Sequence, residues 1–584
     1  MKRTMHLSAE KMKVCILNLI SSFLISSAFM LTTTDKYFLT LEYVKDINFL
    51  ALILLTFGVF AILSLVEQVF TLKGKPALLC SLIAVFIFVA SAGDNFYFTL
   101  TVCILLIFFI KFLEKENLIE FHFSFTKKEI NILITVSFVM VSFITAYACV
   151  CRFLSYRSSN FDMGIFSQMF EYMASTGRML TTSERNKLMS HLGVHFSPIL
   201  YVLLPFYMIF RTPAFLVAVQ PFIVLSGVFP FMLLMRNKGK SEKSVLAYSL
   251  IFIIFPAFLA PCYYDFHENI FFVPLLMWLL YFIEKNKRIG VAVCILLTFL
   301  VKEEAGVYVA SIGLYVLFGK KKVKLGLALI FLSIVHFFAA TALINFIGDE
   351  TLMAGHYYNL IPSGESGMFS MLKTIFLSPG YTVSQLLSEE KILYIVYMLL
   401  PLGFLPIRTK KYSLYFLLIP MLLMNLIIDY HYQYDICYQY SFGSGALLFY
   451  MCAENCEADL AKKKSAFMYL IVCVLLCSNI MLVKLSSNVV NFYTCQSQIT
   501  ATDEVIKKIP DDAGVSASTF LIPKLYKVKN LYMLGDGEIL TDYVLIDMRY
   551  EEEAAKTEIE CLKRGYAEVM SQGFVKVYFN DKGD

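Results

Sequence analysis

The chain has 584 residues, 58% hydrophobic and only 16% charged, which excludes a soluble globular protein of ordinary composition and indicates a polytopic membrane protein. Its formal charge of +5 is uneven, because residues 488–584 carry 11 Lys and Arg against 16 Asp and Glu and leave the positive excess to the membrane part. Such an excess orients loops at a bilayer and is no sign of nucleic acid.

Basic residues at Met1-Lys2-Arg3, Lys11 and Lys13 precede an apolar run over 14–31 with no A-x-A site after it. This reads as a first transmembrane helix with its basic end inside, not as a cleaved leader. Spans follow at about 48–70, 77–92, 96–113 and 129–149, with Lys73, Lys75, Lys111, Lys115, Lys127 and Lys128 marking inside turns. The loop after Cys151 is therefore expected outside. It is a long polar interruption, from Tyr156 to Tyr207, holding Asp162, Glu171, Arg178, His191 and His195.

The stretch 196–210 is apolar enough to cross, yet crossing there would put Arg236, Lys238, Lys240 and Lys243 outside. The positive-inside rule favours a segment that lies along or dips into the outer leaflet, broken by Pro198 and Pro205. Spans near 214–235, 243–261, 270–284, 288–301, 305–319, 323–347, 391–407, 412–428, 436–452 and 466–486 then place the basic clusters at 285–288, 320–324, 408–411 and 462–464 inside. The total is about 15 transmembrane helices, with the N-terminus cytoplasmic. The expected organisation is N-terminal helices over 1–150, a large outer loop with juxtamembrane helices over 151–213, a transmembrane core over 214–487 with an outer loop at 348–390, and an extracytoplasmic α/β domain over 488–584. In that last domain a helix over 499–509 ends at Pro510, and strands at 515–519, 531–534, 543–547 and 574–579 surround a helix at about 551–564. It contains no histidine to complete a catalytic set with Ser516, Ser518 or Asp547.

This topology gathers Asp162, His191, His195, Asp265, His267, Glu268, Lys302, Glu303, Glu304, His356, Asp429, His431 and Asp435 on the outer face. Polar groups at the mouth of a membrane bundle mark a functional site. His191 and His195, four apart, share a face if helical and suit a metal or a phosphate; hydrogen bonding at the interface is the plainer reading. No further ligand cluster is evident, so the metal is unknown and a divalent ion stays open. In Asp429-Tyr430-His431-Tyr432-Gln433-Tyr434-Asp435 the alternation gives, if extended, an aromatic row on one face and polar groups on the other, suited to a sugar; an aromatic belt at headgroup level fits equally. An unpaired charge at the bilayer centre costs about 2.5–3.5 kcal/mol, so Lys302-Glu303-Glu304 implies a hydrated cavity or mutual pairing; a structural Lys–Glu pair that fixes a bent hairpin fits equally. The loop 348–390, with His356-Tyr357 and Pro362-Ser363-Gly364-Glu365-Ser366-Gly367, is expected to act as a lid. The 14 cysteines are scattered through apolar runs; Cys495 and Cys561 alone fall together in a polar domain, where an oxidising side would permit a disulfide.

Phe161-Asp162-Met163-Gly164-Ile165-Phe166-Ser167-Gln168 and His191-Leu192-Gly193-Val194-His195-Phe196-Ser197-Pro198, with Pro205 and Tyr207, resemble the opening of the bacterial membrane-protein family called domain of unknown function 2079. Phe266-His267-Glu268, Lys302-Glu303-Glu304-Ala305-Gly306 and Tyr438-Gln439-Tyr440 extend the resemblance from about 130 to 550. Glu304 stands where that family usually has Asp. The family is in turn similar to the GT-C integral membrane glycosyltransferases, which implies an all-α bundle in the bacterial plasma membrane, a polyprenyl-phosphate-linked sugar as donor and an envelope polymer or lipid as acceptor. In that superfamily an acidic residue of the first large outer loop is the catalytic base, and the motif carries this role to Asp162. A local reading of Asp162 as a helix cap stands beside it. Arg157, Arg178, His191, His195 and Lys302 are then candidates for the donor phosphate. Gln168, Asp265, His267, Glu268, Glu303, Glu304, His356, Tyr357, Asp429, His431, Tyr432 and Tyr438 are candidates for substrate contact. A lipid or polymer transporter would gather charges similarly but should show two similar halves with paired broken helices, which the sequence lacks. A catalytically inactive scaffold is the other alternative.

Overall fold

The computed structural model describes all residues except 1, 32, 34–36, 71–73, 94, 116–124, 349–356, 366, 457–464, 536–540 and 581–584. His356, Lys73 and the basic cluster at 462–464 lie outside the described residues. The chain is mostly helical with a small C-terminal sheet. It divides into two compact units, residues 1–128 with 464–484 and residues 129–463 with 485–584.

In the first unit, helices Lys2–Leu31, Phe49–Phe70 and Lys75–Ser91 bury Leu17, Leu63 and Ala77 together. The Ser21 and Ser81 hydroxyls meet at 2.7 Å, and the Asn479 amide donates to Gly93 O and to Thr99 Oγ1, at 2.5 and 2.7 Å. Such small polar pairs hold helices together where lipid removes any hydrophobic drive between them.

Among the described residues six helices are long and apolar enough to cross a membrane: Lys11–Leu31, Phe49–Phe70, Lys127–Leu154, Ala214–Asn237, Val323–Ile347 and Phe467–Thr494. A seventh candidate, Glu242–Ile253 with Pro256–Tyr263, bends by 43° where Pro256 has no N–H to give. The other stretches expected to span are helical but shorter or interrupted. The segment 196–210 forms two short pieces, Pro198–Val202 and Leu204–Phe210, too short for a hydrocarbon core of about 30 Å.

Residues 288–319 depart most from the expected pattern. Helix Arg288–Phe299, about 18 Å long at 1.5 Å per residue, and helix Ala305–Phe318 form a hairpin instead of two independent crossings. The second arm runs antiparallel to Val323–Ile347. A Cβ added to Gly306 would come 3.0 Å from Ser333 O, and one on Gly313 would come 3.1 Å from Gly326 O, so a side chain at either position would push the two helices apart by a few tenths of an ångström. His336, just past the midpoint of Val323–Ile347, places Nε2 3.3 Å from Lys302 O. The hairpin tip Lys302-Glu303-Glu304 therefore sits halfway along that helix rather than at its outer end, which corrects the expected surface position. The first arm starts and the second arm ends at basic residues, so the predicted side of every later loop is unaffected.

The alternating tyrosine segment is not extended, because His431–Tyr434 is a 3-10 turn. The lid candidate has helices of its own, Gly367–Leu377 and Pro379–Gln385, and is fastened where Asn359 donates to Gln385 Oε1 and Ile427 O, each at 3.0 Å.

The C-terminal sheet comprises β3 (Gly514–Ala517), β4 (Asn530–Met533), β5 (Tyr543–Asp547), β6 (Ala567–Gln572) and β7 (Val575–Phe579) in the order β4-β3-β5-β7-β6; β1 (Leu180–Thr181) and β2 (Met189–Ser190) form a separate small hairpin in the outer loop. The first three strands of the sheet are parallel and the last two join antiparallel. The edge strand β6 escapes sequence reading because both its faces are largely exposed and it shows no alternation. Helix Gln496–Ile506 packs on one face with Val515, Ala517 and Leu545, and helix Glu551–Lys563 covers the other with Val544 and Ile546. Cys495 borders the first face and Cys561 lies in the second, so the sheet separates them and both are free thiols.

This domain grips the outer loop. Gln168, fully buried, donates to Val528 O at 3.0 Å and to Thr182 Oγ1 at 2.9 Å, while its oxygen accepts from the Thr182 N–H at 2.8 Å. Thr182 Oγ1 donates to Leu531 O, and Asn186 exchanges bonds with the Met533 backbone. The Arg549 guanidinium donates to Tyr156 O at 2.7 Å, and the Tyr156 hydroxyl donates to Asp503. Gln168→Ala strands several of these buried groups, and a loss of about 2–4 kcal/mol is expected from its thermal or denaturant unfolding curve, at the desolvation cost of each unsatisfied group.

Candidate functional site

Helix Lys127–Leu154 ends where Tyr156 adopts φ +57°, and the chain then enters the π turn Asn160–Gly164, continuous with helix Ile165–Thr176. A π turn spreads the backbone and is frequent at functional sites. Asp162 lies inside it, so the capping role open to it from sequence is not the one it plays. Gly164 is needed here: an added Cβ would meet Asn160 Oδ1 at 2.5 Å and Ile522 Cγ2 at 2.9 Å. The turn packs against the terminal domain at Ile522, and Asp162 lies beside the polar cluster.

That cluster forms where three segments converge. From Tyr264 to Phe271 the chain leaves helical structure for a loop and a 3-10 turn. His267 Nε2 lies 3.9 Å from Asp162 Oδ1, and His267 Nδ1 lies 3.1 Å from Glu268 Oε2. Glu268, completely buried, meets Lys302 Nζ at 3.0 Å. From the hairpin tip, Glu303 sits 2.9 Å from His195 Nδ1 and accepts the Phe196 N–H at 3.0 Å, while Glu304 accepts from Asn269 at 3.2 Å. The Ile199 N–H donates to Leu300 O at 2.8 Å, and the Phe196 ring packs on His336, itself stacked on Phe299. The outer loop thus descends to meet the rising hairpin. Mutual pairing, one of the two resolutions open for Lys302-Glu303-Glu304, is what compensates these buried charges.

Asp162, like Glu304, has no Lys or Arg at contact distance among the described residues, whereas Glu268 and Glu303 are paired with Lys302 and His195. Burial, reinforced by Asp265 and Glu268 and opposed by Lys302 and a Tyr264 hydrogen bond, pushes its carboxyl up to about 7. Its side chain remains 20% exposed, so an incoming group can reach it. Burial also drives His267 down to about 3 against the pull of Glu268, leaving the ring neutral. Burial opposes charge on His191, but Glu184, whose two oxygens lie 3.1 Å from Nδ1, outweighs it and raises the ring. His191 Nε2 is buried without a hydrogen bond among the described residues, a donor or acceptor still open to a ligand.

The residues singled out from sequence separate into two groups. Asp162, His267, Glu268, Lys302, His195, Glu303 and Glu304 form the cluster, with His191 adjacent through ring contacts to His195 and to Phe166, which also touches His267. The others serve elsewhere. Gln168 is consumed in joining the loop to the terminal domain, which corrects its expected ligand contact. Asp265 is likewise spent, meeting Arg152 at 3.3 Å and accepting the Ser159 N–H at 3.2 Å. Arg157 donates to Ser487 Oγ at 3.0 Å and its O at 3.3 Å, and Arg178 is exposed, so neither approaches the cluster through a described contact. The two histidines each engage a separate carboxylate, and no group of metal-holding residues occurs among the described residues. Tyr357 donates to Leu423 O at 3.2 Å, and Asp429 and His431 are exposed.

Sequence reading named Tyr432 and Tyr438 but not Tyr264, which completes an aromatic wall with them. Tyr264 stands against Tyr438 with centroids 4.7 Å apart, Tyr438 against Tyr432 at 4.7 Å, and Tyr432 against Tyr430 at 5.1 Å. Arg152 lies over Tyr264 at 5.4 Å. Tyr264, Tyr430 and Tyr440 all feel the Asp162 charge. Tyr264 directly precedes the flagged Asp265, and Tyr440 lies within the quoted Tyr438-Gln439-Tyr440, so proximity to these motifs was the signal available. A carboxylate of raised basicity, fixed cations and an aromatic wall together suit a polyhydroxylated or phosphate-bearing ligand.

No curated protein matches the chain. Two structures of ArnT from Cupriavidus metallidurans are similar to it at 10% identity: one bound to undecaprenyl phosphate, over 78% of this chain and 98% of that one with a TM-score of 0.47, and one in the apo state, over 77% and 97% with a TM-score of 0.46. A family model described as predicted membrane protein, DUF2079, matches residues 152–568, the stretch that holds the π turn, the hairpin tip, the tyrosine wall and most of the terminal domain. The chain belongs to that family of membrane proteins.

Proposed function

We propose that the protein is a membrane glycosyltransferase of GT-C type that moves a sugar from a polyprenyl-phosphate donor to an envelope acceptor at the outer face, with Asp162 as general base. The single observation that carries this is Asp162 itself, a carboxylate held near pH 7, reachable from outside and set beside a neutral His267. The family's resemblance to GT-C enzymes supports the same assignment.

The acceptor hydroxyl attacks the anomeric carbon and loses its proton to Asp162. The bond from that carbon to the phosphate oxygen breaks, and polyprenyl phosphate leaves with the electron pair on that oxygen. Charge grows on the phosphate as the bond breaks, so a fixed cation lowers the barrier. Lys302, and His191 when it is protonated, are the cations nearest the cluster, whereas Arg157 and Arg178 have no described contact there. Neutral His267, its Nε2 3.9 Å from Asp162 Oδ1, adds no positive charge that would hold that carboxyl ionised. The tyrosine wall offers ring faces and hydroxyls to the sugar.

Mass spectrometry of lipid-linked sugars and envelope glycans from a deletion strain tests the reading. One lipid-linked sugar should accumulate and one glycan substituent should vanish; unchanged profiles would refute transfer. The proposed orientation is tested separately: a cysteine at Arg185 should react with an impermeant thiol reagent from outside, and one at Lys240 should not.

A further inference from the structure

Away from Asp162, a cavity of about 1110 Å³ opens between the first arm of the hairpin, Arg288–Phe299, and helix Val323–Ile347. Its walls are apolar, including Val291, Ile295, Leu296 and Leu332, and its floor is widened by Ala292 and Ala328. At one end it is rimmed by Arg288, Lys322 and Lys324 with Asn286, and at the other it closes on Phe299. Flanking side chains Ile289, Val293, Leu327 and Phe331 are exposed, as expected of a surface that faces lipid. Lys322 is fixed, donating to Ile283 O at 2.9 Å and to Asn286 Oδ1 at 2.6 Å. Arg288 and Lys324 are exposed and have no acidic partner among the described residues, although Glu284 and Glu454 neighbour the same end and are taken up by Lys238, Lys320 and Lys411.

We propose that this groove is a binding site for an anionic diacyl phospholipid, its phosphate at Arg288 and Lys324 and one acyl chain along the groove toward Phe299. Depth and charge both fit. From Arg288 to Phe299 the groove runs roughly 17 Å, close to one leaflet of a hydrocarbon core about 30 Å thick. Basic pockets between helices at one bilayer face recognise anionic headgroups. The site is separate from the proposed sugar transfer, because its charged end lies at the opposite end of the hairpin from Lys302. Its closed end reaches Phe299, which stacks on His336 beside the Lys302 carbonyl, so an occupied groove also braces the hairpin tip.

The full chain in neutral detergent, offered phosphatidylglycerol and phosphatidylcholine in equal amounts, is examined by native mass spectrometry. One phosphatidylglycerol should be retained with about tenfold preference, which two headgroup cations are sufficient to give. Arg288→Gln with Lys324→Gln should bring the two lipids to near-equal retention without altering elution or melting, because neither side chain has a partner to lose. Ala292→Trp, which fills the groove and leaves the charges in place, should abolish retention of both lipids. Equal retention of the two lipids by the wild type, a preference that survives the double substitution, or retention unaffected by Ala292→Trp would each overturn the site. Closure of the groove by a second copy of the chain, seen as a dimer that carries no lipid, would overturn it as well.

Discussion

Asp162→Asn is expected to lower the transfer rate by about 10²–10⁴, the usual contribution of a positioned general base, with little change in donor affinity. The amide keeps the size of the carboxyl but has no basic oxygen to take the acceptor's proton. Stability moves the other way. The native carboxyl is raised from an ordinary value near 3.8 to about 7, so its ionised form is disfavoured by folding. That penalty is absent well below pH 4, grows as pH rises between those two values, and is constant above about 7. Asn removes it, so the variant should melt at or above the wild-type temperature at pH 8. An inactive variant that is less stable than wild type would point to a structural role instead. The same titration predicts that wild-type turnover rises with pH through about 7 and levels off above it, as the base form becomes fully populated. A pH–rate profile flat between 5.5 and 8.5 in purified, donor-supplied assays would exclude Asp162 as the base.

Lys302→Met should be the most damaging substitution for the fold. Lys302 is buried and its ammonium is the contact cation of Glu268, whose side chain is wholly inaccessible. Removing one partner of such a pair costs about 3–5 kcal/mol, because the other charge stays buried without compensation. Loss of folded protein, followed by size-exclusion yield and denaturant unfolding, is the expected result. The double change Lys302→Met with Glu268→Gln should recover most of that stability, since no lone charge remains. It should not recover transfer if Lys302 also faces the donor phosphate. Recovery of stability without activity therefore separates the two duties of this lysine.

Much of the cluster was visible in the linear chain because of an energetic mismatch. Asp162, His267, Glu268 and Lys302 each interrupt apolar sequence at a cost that a membrane protein seldom bears without a use. The same signal over-assigned roles to Gln168 and Asp265, since a buried polar group that ties two segments together looks alike in sequence to one that meets a ligand. Arg157 failed for a related reason: a guanidinium near the site in sequence found Ser487, 330 residues away. The tyrosine wall was only half legible, because alternation suggested a strand where Asp429 to Asp435 instead turns through a 3-10 segment.

The sequence alone determined that this is a multi-pass membrane protein with a long polar loop, a small terminal α/β domain and an unusual charged tripeptide between short apolar runs. Those properties follow from local partitioning between water and hydrocarbon and from short-range periodicity, which each segment carries in itself. Only the tertiary structure decided that 288–318 folds back as a hairpin, that its tip meets the descending outer loop, and that Glu268 neutralises Lys302 while Glu303 engages His195. Those pairings join residues 34 and 108 positions apart. Their free energy exists only once the helices have packed and excluded water, so nothing within either segment announces its partner.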